Sequence, residues 1–402
     1  MQDFPNLFSR RKLLRAFTVF FLWFFAPTAF GTMPAQYYAA AEGKTGEELR
    51  AALVSIISGH QRVSYSWPPF HRLDEDPLNP DHVILIYSGF SVPKLPNNIY
   101  WNREHMWPRS RGVGTSGTAF EDLFNLVPCN APINNARGNL PFGYPDPLDA
   151  GYVPVGGFVN APLASKDSFV WLPPEFERGF IARAMFYMAL RYNGVGSEPD
   201  LSLVDDPPAS TPWGSVMGNR GVLLQWNRSH LPEAFETRRN NLIYEEFQHN
   251  RNPFIDYPDL VDSVFTYDLY LAPGTWRVAH FSFAELGDPE ISGWSADPEG
   301  DGRSNLFNYA FGLNPREPGE NPPVEILFEN GQIFLAFRKV REAAVFGLTY
   351  TIETSSDLME WNEAAWDPVS KTAEGEYHFW KVVSLPAEAT VFARVRAGWA
   401  GE

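Results

Sequence analysis

An acid stands beside an imidazole in the stretch WNREHMWPRS, residues 101–110, as Glu104 and His105. A carboxylate binds hard divalent cations, and an unperturbed histidine is largely neutral at pH 7, so it can accept a proton from water. In a regular strand two neighbours point to opposite faces, and they share a cleft only at a strand end or a bulge. Pro108 supplies such an end. The pair is therefore a candidate for metal-assisted acid-base chemistry.

A second polar segment follows in residues 120–146. Its DLFNLVP run is typical of a strand, and the residues after it favour the start of a helix, with Asn130 as the N-cap and Pro132 in the first turn. On that helix Asn134 and Arg137 lie three positions apart on one face. The sequence thus predicts a strand, a loop, a second strand and a helix around the pair.

Oxygen atoms of Glu104 and Asn134 could hold one Mg²⁺ ion. They offer one charged and one neutral ligand, and water and phosphate oxygens would complete the octahedron. A neutral His105 could then take a proton from the attacking water. Asn135 stands next to Asn134, so the identity of the amide ligand stays open between the two.

Five blocks of the chain occur in a fixed order within residues 45–265: NREHMWP, DLFNLVP, INNARGN, RGFIARAMFYMALRY and QHNRNPFIDYPDL. This succession resembles the bacterial endonuclease I family of secreted, non-specific nucleases, in the ββα-metal (His-Me finger) superfamily. The resemblance implies that His105 is a general base and that Glu104 and Asn134 bind Mg²⁺. It also implies cleavage of DNA, and of RNA as well, to leave 5′-phosphate ends.

The resemblance further implies an arginine that stabilises the transition state. Arg109, Arg111 and Arg137 are all candidates, and of these Arg109 and Arg137 are predicted to be catalytic. Arg103 and Arg111 are predicted to contact the substrate, with Arg103 bracing either a phosphate or Glu104.

Four aromatic residues lie in or near these blocks, and two of them have alternative interpretations. Trp101 and Trp107 could stack on bases or could lie in the core. Phe124 and Phe180 stand where the resembled family often has a histidine and an aspartate. No chemical role is assigned to these two positions, so the departures concern substrate detail.

The N-terminal residues 1–33 are typical of an export signal, with a basic SRRKLLR segment before an apolar run of 15 residues, AFTVFFLWFFAPTAF. That run is too short for a stable membrane span.

Cys129 is the only cysteine, so no intrachain disulfide can form. The net charge is −16, of which residues 281–402 carry −11 (9 Lys+Arg, 20 Asp+Glu), so −5 remains for residues 1–280. This charge argues against a DNA-coating protein but permits a small positive active site.

The predicted fold class is α+β, a ββα-metal nuclease domain over residues 34–280 followed by a linker over 281–319 and a small all-β sandwich over 320–402. Helices are expected in TGEELRAALVSIISGH and FIARAMFYMALRY, and a strand in HVILIYSG. The pair Asn330-Gly331 predicts a hairpin within the sandwich.

The linker contains DPEGDG, which follows the spacing of a calcium loop. Asp297, Glu299 and Asp301 would take positions 1, 3 and 5, and Asn305 position 9. Position 12 is Asn308 rather than a bidentate glutamate, and an acidic solvated turn explains the pattern as well.

These observations together predict an exported, Mg²⁺-dependent, sequence-non-specific endonuclease, located in the periplasm, at the cell surface or outside the cell. Its partner would be DNA, and also RNA, held through phosphate contacts, with no obligate protein partner. The alternative is a catalytically weak protein that binds nucleic acid and attaches it to a matrix or surface.

Overall fold

A computed structural model of the chain describes residues 33–34, 36–95, 100–205, 214–266, 272–318, 324–329, 332–340, 343–364, 368–374, 377–382 and 392–400. Residues 1–32 of the predicted export signal and the Asn330-Gly331 turn lie outside these residues. No helix in the described part of the chain has both the length and the apolar character needed to cross a membrane.

The described residues form a mixed α and β structure, which confirms the predicted α+β class. The helices are α1 Gly46–Ile57, α2 Pro68–Leu73, α3 Thr118–Glu121, α4 Ala131–Arg137, α5 Arg178–Arg191, α6 Arg220–Ser229, α7 Ala234–Leu242, α8 Pro253–Asp256, α9 Leu260–Phe265, α10 Pro273–His280, α11 Phe283–Leu286, α12 Pro289–Ser292 and α13 Asn305–Phe311. The strands are β1 Glu75–Asp76, β2 Asn79–Ile84, β3 Ser91–Pro93, β4 Asn102–His105, β5 Leu126–Cys129, β6 Ser165–Lys166, β7 Trp171–Leu172, β8 Ser202–Val204, β9 Val216–Gly218, β10 Val324–Glu329, β11 Gln332–Val340, β12 Leu348–Ser355, β13 Asn362–Glu363, β14 Pro368–Glu374, β15 Tyr377–Val382 and β16 Phe392–Trp399.

The chain divides into two compact units. The first contains Arg50–Val261 and the described residues up to Ala41; the second contains Glu42–Leu49 and the described residues from Asp262 onward. The predicted division at residues 280 and 320 stays a prediction.

The first unit contains short sheets connected by helices and loops. Strands β1, β2 and β3 form an antiparallel sheet, β4 pairs with β5 and β6 with β7 in antiparallel fashion, and β8 pairs with β9 in parallel. Helix α5 lies in the interior, because every residue from Gly179 to Arg191 is buried. Its buried Arg183 is paired with the Glu236 carboxylate at 2.6 Å from Nε, so the charge in the interior is compensated.

The predicted helices in residues 45–60 and 180–192 are confirmed by α1 and α5. The strand predicted for HVILIYSG is wrong in its second half, because β2 ends at Ile84. Three residues later Tyr87 adopts a left-handed backbone with φ of 68°, which a strand cannot accommodate.

The second unit contains two antiparallel sheets. One has the order β10-β11-β15-β14 and the other the order β13-β12-β16. Residues of β11, β12 and α13 contribute to a single buried cluster that includes Tyr309, Phe337 and Tyr350. Both sheets therefore cover one hydrophobic core.

The acidic loop before α13 is held by its own backbone. Asp297 accepts hydrogen bonds from the N–H groups of Asp301 (3.2 Å) and Gly302 (2.8 Å), while Glu299 lies 3.4 Å from an Arg316 nitrogen. Asn305 donates its amide hydrogens to two backbone carbonyls. Throughout the described ranges, no group of three or more His, Cys, Asp or Glu side chains is placed to hold a metal ion. Calcium in this loop stays a prediction.

Candidate active site

A pocket of about 860 Å³ opens where β4, β5 and α4 meet. Its walls are predominantly polar and include five of the residues to which the sequence assigns a role: Glu104, His105 and Asn134, with Arg103 and Arg109. The remaining lining residues are Tyr65, Trp67, Asn102, Pro108, Ser110, Thr115, Asn135, Gly138 and Asn139.

The end of β4 explains how neighbouring side chains reach one pocket. Strand β4 pairs with β5 in the register Glu104 to Val127 and His105 to Leu126, and it ends at His105. The next turn is fixed by Asn125, whose side chain accepts from the Trp107 N–H at 2.6 Å and donates to the Trp107 carbonyl at 3.1 Å. The predicted strand end is confirmed, and both side chains line the pocket.

Helix α4 begins where the sequence predicts. Asn130 is its N-cap and accepts a hydrogen bond from the Ile133 N–H, and a proline occupies the first turn. Because β5 leads directly into this cap, the helix places Asn134 in the wall of the pocket that Glu104 and His105 also line.

The tautomer of His105 follows from its hydrogen bond. Nε2 lies 3.0 Å from the carbonyl oxygen of Phe120, and a carbonyl can only accept. Nε2 therefore carries the proton, and Nδ1 of the neutral ring is the basic nitrogen. The imidazole also stacks on the Phe120 ring, with centroids 4.9 Å apart, which fixes its plane.

The pKa of His105 is lowered to about 4, mainly because the ring is buried; the positive charges of Arg109 and Arg103 also lower this pKa, while the hydrogen bond to the Phe120 carbonyl opposes the shift. The imidazole is therefore neutral at pH 7, the form that a general base needs. A bound phosphate would add negative charge nearby and raise the pKa towards neutrality.

Glu104 is braced from two sides. Its Oε1 accepts a hydrogen bond from the Tyr87 hydroxyl at 2.9 Å and one from Arg137 Nη1 at 3.0 Å. Burial raises the pKa of this carboxyl, whereas the Arg137 charge and the hydrogen bonds oppose that rise. The carboxylate is thus buried and held in one orientation.

The donor set suits a hard divalent cation. Asn134 donates its amide nitrogen to Asn102 Oδ1 (2.9 Å) and to the Arg103 carbonyl (3.3 Å), so its amide oxygen is the atom left to face a ligand. That oxygen and the Glu104 carboxylate line one pocket, and water and phosphate would supply the other ligands of such an ion.

Two arginines line the pocket. The Arg109 side chain is exposed, and within the described residues it forms no ion pair. Arg103 is more constrained: its guanidinium lies 3.5 Å from the Tyr65 ring centroid and 4.4 Å from that of Trp67, and it donates to the Tyr65 carbonyl at 2.7 Å. Arg109 is therefore the guanidinium best placed to meet a substrate phosphate.

The other two candidate arginines do not line the pocket, and both are fully buried. Arg111 donates to the carbonyls of Asn139 (2.7 Å) and Val216 (3.1 Å), and burial lowers its pKa to about 10. Arg137 uses its nitrogens on Glu104 and on the backbone carbonyls of residues 105 and 106. The guanidinium groups of Arg111 and Arg137 therefore hold backbone carbonyls and the Glu104 carboxylate in place, which is a structural role.

Sequence reasoning missed Tyr65 and Trp67 in the pocket wall. They lie in SYSWPP, far from the polar blocks, and only the three-dimensional contact with Arg103 reveals them. Trp101 and Trp107 are fully buried, which places both in the core rather than on a surface available for stacking.

The model of the family described as Endonuclease I matches residues 45–259. An extracellular ribonuclease of Bacillus amyloliquefaciens is 42% identical over 238 residues, 57% of this chain and 78% of that protein, and one of Bacillus subtilis (strain 168) matches with the same identity and coverage. Endonuclease-1 of Buchnera aphidicola subsp. Acyrthosiphon pisum is 30% identical over 134 residues, 33% of this chain and 44% of that protein.

Proposed function

The chain belongs to the endonuclease I family and is a nuclease, and from this premise we propose that it is an exported, Mg²⁺-dependent endonuclease without sequence specificity. It would hydrolyse phosphodiester bonds of DNA and of RNA and leave 5′-phosphate ends. Two relatives carry the name extracellular ribonuclease. That name supports both the cleavage of RNA and the export of the protein.

One observation carries the proposal: Glu104, His105 and Asn134 line a single pocket at the junction of β4, β5 and α4. This order of two antiparallel strands and a helix is what we infer to be a ββα-metal motif. A base and two oxygen ligands in one pocket fit metal-assisted hydrolysis better than simple retention of nucleic acid, which would need no neutral imidazole.

His105 acts as the general base through its Nδ1 atom. Since Nε2 is committed to the Phe120 carbonyl, Nδ1 accepts a proton from the water whose oxygen attacks phosphorus. The new P–O bond forms as the bond to the 3′-oxygen breaks, and that oxygen takes a proton from water. The products are a 5′-phosphate and a 3′-hydroxyl.

Glu104 and Asn134 would hold the cation, and when bound the ion would neutralise charge on the phosphate and on the leaving oxygen. The Arg137 charge opposes the rise in the pKa of the Glu104 carboxyl, and its hydrogen bond orients the carboxylate, so we assign Arg137 to this bracing role rather than to the transition state. Of the predicted arginines, Arg109 then remains the candidate for contact with the transition state, and Arg103 for the phosphate or the pocket wall.

Replacement of Arg109 tests whether phosphate contacts drive catalysis. Arg109→Ala should lower kcat/KM about equally on DNA and RNA of unrelated sequences, because a phosphate contact carries no base information. It should also reduce the slope of log affinity against log salt concentration by about 1. Cleavage rates and filter binding between 50 and 200 mM salt, roughly the range where such contacts are most visible, give both quantities.

Arg72→Ala is the matched control, because Arg72 is also exposed but pairs with Glu246 at 2.8 Å and does not line the pocket. It should leave kcat/KM and the salt slope unchanged. Sequence-dependent losses in Arg109→Ala, or a salt slope equal to that of the wild type, would argue against phosphate contact by this residue.

We further propose that the second unit is an accessory module, with its two sheets forming a β-sandwich. Every residue given a chemical role lies in the first unit, and the family match ends at residue 259. The net charge of −11 on residues 281–402 repels a polyanion, so this module is better suited to attachment than to substrate binding. Calcium in the Asp297 loop would be part of the same proposal.

A further inference from the structure

Tyr87 reaches the predicted metal ligand without lining the pocket. Its hydroxyl donates to Glu104 Oε1 at 2.9 Å, and both side chains are buried. This contact could not be predicted from the sequence, because Tyr87 lies 17 positions before Glu104 in a segment whose residues predict a strand.

The backbone at Tyr87 is strained. Its φ of 68° lies in the left-handed region that non-glycine residues rarely adopt. Such a conformation persists only where the surroundings determine it. Here the Tyr87 N–H donates to the Glu177 carboxylate at 2.7 Å, and Glu177 is itself fully buried at the start of α5.

Neighbouring contacts fix the rest of the residue. The preceding Ile86 donates its N–H to the Pro128 carbonyl of β5 at 2.9 Å, which ties this segment to the strand beside Glu104. The Tyr87 ring packs on Trp171, with centroids 5.4 Å apart. Backbone and ring are therefore fixed independently of the hydroxyl, so the position of the hydroxyl is determined by the fold.

We propose that Tyr87, held in its left-handed conformation by Glu177, is a positioning residue that orients the Glu104 carboxylate for the divalent cation. The inference rests on the proposed function, because it needs Glu104 to be a ligand. Tyr87 and Arg137 both bond to Oε1, so together they fix the rotation of the carboxylate. Partners of metal ligands typically change metal affinity by about 10- to 100-fold when they are removed.

Tyr87→Phe in the full-length chain tests this role, because it removes only the hydroxyl and keeps the ring on Trp171. We expect the affinity for Mn²⁺, measured by isothermal titration calorimetry, to fall about 10-fold. Saturating Mn²⁺ should restore kcat, since the general base is untouched. Glu177→Gln keeps an oxygen acceptor for the Tyr87 N–H but removes its charge, and should weaken Mn²⁺ binding in the same direction by less.

Tyr192→Phe is the matched control. Its hydroxyl also donates to a buried carboxylate, Asp122 Oδ2 at 2.7 Å, but that carboxylate does not line the pocket. Its Mn²⁺ affinity should equal that of the wild type, and thermal unfolding should show that both phenylalanine variants are folded.

Two results would overturn the inference and differ in what else they overturn. If Glu104→Gln weakens Mn²⁺ binding but Tyr87→Phe and Glu177→Gln do not, Glu104 is a ligand and Tyr87 does not position it. If Glu104→Gln binds Mn²⁺ as tightly as the wild type, the proposed metal site is wrong together with this inference.

Discussion

His105→Ala is expected to lower kcat roughly 10²- to 10⁴-fold on both DNA and RNA, the usual contribution of a general acid or base. The loss arises because Nδ1 is the basic nitrogen of a ring held neutral by burial and fixed by the Phe120 carbonyl. Mn²⁺ affinity should stay near the wild-type value, since the ring is not a proposed ligand. Steady-state cleavage and calorimetry on the same preparations measure both quantities.

His82→Ala is the control for this prediction, because His82 is half-buried, pairs with Ser91 and does not line the pocket. It should retain wild-type kcat. Glu104→Gln provides the contrast, since its loss of activity should follow weakened metal binding and diminish as Mg²⁺ is raised. If excess Mg²⁺ restored His105→Ala and Glu104→Gln equally, the division between base and ligand would be wrong.

Arg137→Met is expected to have the largest effect on stability. It keeps most of the side-chain volume but leaves the buried Glu104 carboxylate without its ionic partner, and breaking one side of a buried pair costs about 3–5 kcal/mol. The free energy of unfolding in urea, followed by tryptophan fluorescence, measures the loss. Burial raises the pKa of Glu104 and the Arg137 charge opposes that rise, so the variant should raise this pKa further and bind Mn²⁺ less tightly.

Arg72→Met serves as the comparison, because the Arg72 and Glu246 pair is exposed to water and screened. Its loss should be at most about 1 kcal/mol. If Arg137→Met instead kept the wild-type stability and metal affinity but lost kcat, Arg137 would act on the transition state rather than brace Glu104.

The local signals of the sequence were sufficient for two of the three elements around the site. A strand end before Pro108, an N-cap at Asn130 and a proline in the first turn are determined by neighbouring residues, so the end of β4 and the start of α4 could be predicted. The strand predicted for DLFNLVP is wrong in its first half, because β5 begins at Leu126. Helical spacing could also place Asn134 and Arg137 on one face.

What the sequence could not show is which polar groups become buried. Arg109 and Arg111 are two positions apart in one turn, yet the first lines the pocket and the second bonds to the carbonyls of Asn139 and Val216. Those partners lie 28 and 105 positions away, and no local pattern predicts them. Tyr87 is similar: a β-branched and aromatic run predicts a strand through this position, but β2 ends at Ile84. The left-handed backbone of Tyr87 and its bonds to Glu177 and Glu104 depend on residues far away in the sequence.

Cleavage of supercoiled plasmid by the purified full-length protein tests whether Glu104, Asn134 and His105 form a divalent-cation-dependent hydrolytic site. We expect nicking and linearisation in Mg²⁺, complete loss in EDTA, and recovery when Mg²⁺ is returned in excess. The fragments should accept a 5′-label from a polynucleotide kinase only after phosphatase treatment, since their ends carry 5′-phosphate. Undiminished cleavage in EDTA would show that the site needs no divalent cation, and fragments that are labelled without phosphatase would show that the ends do not carry 5′-phosphate.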